Sequence, residues 1–158
     1  MSYATKTEVP FEKSIAEIIT LIKRHGAMQI GQFEGDDFFA IQFSLAERMI
    51  RFRLPIPAMR EMPTRDGRGV ALTAGQRQDR LAQTRRSRGR ALLLVIKAKL
   101  ESVESSIETI EQAFLANVVL SDGQTVYERV AAPIAIEYQD GRPDPAVGLL
   151  TGPRDVGP

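Results

Sequence analysis

With 158 residues, 43% of them hydrophobic and 26% charged, the chain has the size and composition of one globular domain. It contains no cysteine, which excludes disulfides, thiolate metal centres and a thiol nucleophile, and its longest apolar run, Ala91 to Ile96, falls well short of a membrane span. A net charge of +1 conceals a strong asymmetry: residues 1–50 carry 5 basic and 7 acidic side chains, residues 51–99 carry 13 and 3, and residues 100–158 carry 3 and 10.

Ser14 and Glu17 have capping-box spacing, and Ile15, Ile18, Ile19 and Ile22 follow a helical period, so a first helix is expected over about 15–25 with Gly26 as its stop. His25, the one histidine, falls where an imidazolium suits the last carbonyls of a helix. The period then changes to two. Ala27 to Glu34, Asp37 to Leu45 and Arg48 to Leu54 read as a three-stranded antiparallel meander, with Ile50, Phe52 and Leu54 facing the core and Met49, Arg51 and Arg53 facing out. The carboxylates Glu34, Asp36 and Asp37 flank Gly35 in a pattern that suits a hairpin turn better than a cation site.

Residues 56–75, rich in proline and glycine, read as a long loop. A long helix is expected over about 76–103, and Leu92, Ile96, Leu100, Val103 and Ile107 form a stripe that predicts its core face. Ser105 and Glu108 give a second capping-box match, opening a helix that carries Ile107, Ile110, Phe114 and Val118 and ends near Asn117. Thr125 and Glu128 give a third, with Pro133 expected to cut short or restart the helix that it opens. The expected class is α+β: an N-terminal helix, the meander, the long loop, then two or three helices on one face of the sheet. One domain over 1–140 with a Pro/Gly-rich tail over 141–158 is the expected layout.

The stretches VPFEKSIAEI, RHGA, RFRLP, RALLLVIKAKLE and AFLANVVLSDGQTVYERV, with the proline-rich end, resemble a group of small proteins of tailed bacteriophages and prophages. That resemblance implies a phage protein working in the host bacterial cytoplasm, and it assigns no residue a role.

Catalytic and metal chemistry find little to be built from. One histidine and no cysteine leave zinc sites and nucleophile–histidine machinery without parts, and Gly67, Gly69 and Gly148 do not form a phosphate loop, so no enzyme, cofactor or metal is expected. Arg77, Arg80, Arg85, Arg86, Arg88 and Arg90, with Asp79 as the one acid among them, are the outstanding feature. They point all round a helix axis, so the start of that helix is expected to project or to order on a partner. Arginine forks suit phosphate. Arg51 and Arg53 beside Phe38 on the outer sheet face are expected to extend the same surface, in the manner of a stacking platform for a single strand. The expected function is nucleic-acid binding, with single-stranded DNA favoured. A protein-binding module that docks on an acidic host protein, such as an inhibitor of a bacterial defence system, is the alternative, with homo-oligomerisation open to both. Against both stands internal neutralisation of the arginines by Glu101, Glu104, Glu108 and Glu111, within the fold or across a dimer.

Overall fold

The computed structural model describes residues 3–141. After a 3-10 turn, Tyr3–Lys6, come α1 (Phe11–Arg24), β1 (Met28–Glu34), β2 (Phe38–Leu45), β3 (Arg48–Pro55), α2 (Ala74–Glu104), α3 (Ile110–Phe114) and α4 (Val126–Asp140). The sheet is the expected antiparallel meander, in the order β1-β2-β3. The Ala46-Glu47 turn that joins β2 to β3 holds both residues at positive φ, 48° and 61°, without the glycine or asparagine such turns usually recruit.

Alternation along the strands divides the sheet into two faces. Phe39, Ile41, Phe43, Leu45, Ile50 and Phe52 are buried on the inner face, where they meet Phe11, Ile15, Ile18 and Ile22 of α1 and Leu92, Leu93, Ile96 and Leu100 of α2. Leu54 packs against the same core, and α3 closes one end with Ala113 and Phe114. Register pairs Phe33 with Ala40, Ala40 with Arg53, and Gln42 with Gly31 and Arg51, which puts these residues together on the outer face.

Several local expectations are corrected. Helix α1 starts at Phe11 behind Pro10, three residues before the Ser14 match, and Ser14 is fully buried inside the helix. Its end is as expected: His25 caps it, with Nδ1 2.9 Å from the Leu21 carbonyl and Nε2 2.7 Å from Glu104. The stripe on α2 holds for Leu92, Ile96 and Leu100, but Ile107 is 76% exposed because the helix stops at Glu104 and Ser106 turns the chain at φ 58°. The cap of α3 is not Ser105 but Thr109, whose hydroxyl accepts from Gln112 N–H while the Gln112 side chain accepts from Thr109 N–H. Thr125 and Glu128 cap α4 as expected, yet α4 runs through Pro133 to Asp140. The tail expectation lies outside the described residues from 142 onward.

The loop over 56–75 is more ordered than its composition suggests. Ile56, Ala58 and Met62 are buried, Met59–Glu61 form a 3-10 turn, and Arg65 bridges Ala71. Asp66 accepts from the N–H groups of Val70 and Arg68, and these hydrogen bonds hold its carboxyl below the usual range.

Candidate anion-binding groove

The arginine-rich half of α2 does not project. It lies along α1 and the N-terminal turn, and most of its arginines are received by groups within the chain. Arg77 donates to the carbonyls of Met59 and Met62 at 3.0 and 3.1 Å. Arg85 pairs with Glu34 at 2.8 Å, and its guanidinium lies 4.6 Å from the centroid of the Phe11 ring. Arg86 is held by the Gln83 carboxamide oxygen, while the Gln83 amide donates to the carbonyls of Thr5 and Thr7. Arg90 pairs with Glu17 at 3.0 Å. Arg80 and Arg88 are exposed. This arrangement avoids burying charge as the all-round distribution threatened, because Arg77, Arg85, Arg86 and Arg90 reach an edge where an acceptor or a ring meets them and Arg80 and Arg88 stay in solvent.

Internal neutralisation is therefore real, but by other acids than expected. Glu104 meets His25, Glu111 meets Arg48, Glu108 accepts from Ser102, and Glu101 accepts from Ser105. The carboxylates that form ion pairs with the arginines of α2 among the described residues are Glu17 and Glu34, from α1 and the edge strand.

Arg51, Arg53 and Phe38 do not extend the α2 surface. They lie on the outer face, with the sheet between them and α2. There Arg51 donates to the Gly123 carbonyl and to Glu128, and Arg53 stacks 4.4 Å over Phe38 and reaches Asp37 at 4.0 Å. Phe33, 53% exposed, completes this face. Each of its two arginines has an acid beside it, Glu128 for Arg51 and Asp37 for Arg53.

Elsewhere the balance is not even. Lys13, Glu17, Thr20 and Arg24 recur along one side of α1 at helical spacing, and Arg90, Leu94 and Lys97 do so on α2. Where the helices run together these side chains line a groove of about 420 Å³, with Leu21, Leu93 and Leu94 among its apolar residues. Four cations face one carboxylate there, and that carboxylate, Glu17, is committed to Arg90. Lys13, Arg24 and Lys97 are exposed and have no ion-pair partner among the described residues. Of the residues expected to bind, only Arg90 lines this groove. Lys13, Arg24 and Lys97 were not singled out by sequence reasoning, although the spacing of Lys13 and Arg24 on one helical face was available in the sequence.

Among the described residues no group of three or more His, Asp or Glu is placed to hold a metal ion, and no helix is long and apolar enough to cross a membrane. No protein-family model, curated protein or solved structure matches the chain.

Proposed function

We propose that this chain is a non-enzymatic accessory protein of phage type that binds nucleic acid in the bacterial cytoplasm, with the groove between α1 and α2 as the contact surface. The observation that carries this reading is the excess of unpaired cations, Lys13, Arg24 and Lys97, around an apolar floor. Lysine and arginine contacts to phosphate release counterions and supply sequence-independent affinity. A groove sunk between two helices favours one flexible strand, because a duplex would reach only its rim. Arg77 and Arg85 enter this reading as scaffold, pinning the helix that presents Arg90 and Lys97.

The test is a fluorescence titration with single- and double-stranded oligonucleotides over a range of salt. If Lys13, Arg24, Arg90 and Lys97 each neutralise one phosphate of a single strand, log K falls against log salt with a slope of about −3, at about −0.7 per phosphate. Failure of both oligonucleotides to bind at low salt would end the nucleic-acid reading and leave the acidic protein partner.

A further inference from the structure

Among the described residues, helix α4 is anchored at its first turn and buries none of its side chains fully. Thr125 and Glu128 close its first turn, Glu128 also meets Arg51, and Arg129 pairs with Asp122 at 2.7 Å. None of its fifteen residues is buried, and its packing is against the 3-10 turn Leu115–Asn117. Fifteen residues is near the lower limit for a helix that stands in water, and Pro133 removes one of the backbone hydrogen bonds such a helix depends on. A helix of this kind gains its stability from something packed along it.

The exposed side chains indicate the chemistry of that partner. Tyr127, Ala131, Ile134 and Tyr138 fall on one stripe, with Tyr127, Ile134 and Tyr138 exposed at 63%, 41% and 87%, while Ile136, 43% exposed, lies on another side of the helix. From Val130 to Asp140 the charged residues are Glu137 and Asp140, both acidic. The groove between α1 and α2 presents the complement: Leu21, Leu93 and Leu94 within a rim of Lys13, Arg24 and Lys97. An amphipathic helix laid in an apolar groove is a common recognition mode, and here the rim charge is opposite to the helix charge. The helix cannot reach the groove of its own chain, since α4 leaves from Arg51 on the outer sheet face and the groove lies beyond the inner one.

We infer that α4 of one molecule seats in the α1–α2 groove of a second copy of this chain. Donor and acceptor are different surfaces, so the contact is head-to-tail and propagates into a ring or an open chain. The inference rests on the charge and floor of the groove and not on its occupancy by nucleic acid; a seated α4 and a nucleic-acid strand would compete for the same cations, so strand binding belongs to the molecules whose groove is open.

Two variants separate the halves of the contact. Ile134→Asp with Tyr138→Asp spoils the donor helix and leaves the groove intact, whereas Arg24→Glu with Lys97→Glu spoils the groove and leaves α4 intact. Sedimentation equilibrium should give the parent chain an average mass that rises with concentration above that of one chain, to a dimer if the ring closes at two and beyond it otherwise. Each variant alone should remain at the 17.5 kDa of one chain, and an equimolar mixture should form a species of twice that mass. A parent chain that stays monomeric, a groove variant that still self-associates, or a mixture that stays monomeric would each overturn the inference. If the donor variant loses its helical circular dichroism, Glu137→Lys with Asp140→Lys replaces it: this variant should be monomeric alone and regain association with the Arg24→Glu, Lys97→Glu chain, and no regain would also overturn the inference. An oligonucleotide titration of the monomeric donor variant, whose groove is unchanged, judges the nucleic-acid reading separately.

Discussion

A Cβ placed on Gly89 of α2 would lie 2.7 Å from Cδ2 of Phe11, closer than two such atoms can sit, and a tight 3.3 Å from its Cε2. The two helices meet there because Gly89 has no side chain and Ser14, facing it, has a small one. Phe11 cannot step aside freely, being edge-on to Phe39 at 5.2 Å and under the Arg85 guanidinium. Gly89→Ala gains about 1 kcal/mol of helix propensity but costs about 1 to 3 kcal/mol of overpacking, so we expect a net loss of up to about 2 kcal/mol. Urea unfolding measures it, and adding Phe11→Leu should recover part of the loss. A Gly89→Ala protein more stable than the parent would mean that the helices are further apart than described.

Ile96 and Ile107 belong to one sequence stripe and have opposite fates. Ile96 is fully buried against the sheet, so Ile96→Ala should cost about 2 to 5 kcal/mol. Ile107 stands in solvent after the helix has ended, and Ile107→Ala should change stability by no more than about 0.5 kcal/mol. Equal losses at both positions would restore the continuous stripe and discard the turn at Ser106.

The contrast marks how far the sequence could be read. The meander was legible because a period of two, interrupted at Gly35-Asp36 and at Ala46-Glu47, admits few alternatives, and the split of Ile50 and Phe52 from Arg51 and Arg53 came directly from it. Capping boxes were legible where the spacing stood alone, as at Thr125, and misleading where a better cap lay nearby, as Thr109 does beside Ser105. Ser14 matched a cap pattern but is there for its size. The arginines could not be assigned from spacing because their partners are remote: Glu34 lies 51 positions from Arg85, and Glu17 lies 73 from Arg90. The groove needed packing as well, since nothing in the sequence places Lys97 beside Arg24.

Carboxyl titration should be visible in stability. The backbone N–H of Thr125, aided by the positive charge of Arg51, holds the Glu128 carboxyl below the usual range, and Asp122 is lowered by the Gln124 N–H and by Arg129. A folded-state pKa below the unfolded value gives stability that is present above the unfolded value and lost as pH falls through the folded one. The melting temperature should therefore drop below about pH 4.5, the ordinary glutamate value. Glu128→Gln keeps an acceptor for Thr125 but not the charge, so its deficit against the parent should be full at pH 7 and shrink on acidification. A deficit that does not change with pH would assign the role of Glu128 to shape rather than charge.

Structural and contact roles among the basic residues separate in one paired measurement of melting temperature and salt dependence. Arg85 ties α2 to Glu34 and covers Phe11, so Arg85→Ala should lower the melting temperature and leave the salt slope of oligonucleotide binding near −3. Arg24 and Lys97 have no ion-pair partner among the described residues, so at concentrations where the chain is monomeric Arg24→Ala with Lys97→Ala should leave the melting temperature unchanged and flatten the slope to about −1.5, having removed two phosphate contacts at about −0.7 each. Arg88, exposed on a different side of α2 from the groove, should affect neither quantity when replaced by alanine. The reverse pattern, with Arg88→Ala flattening the slope and the Arg24, Lys97 pair silent, would move the contact surface to the opposite flank of α2. There the groove would be left to a protein ligand, because its unpaired cations would remain while the polyanion ran elsewhere.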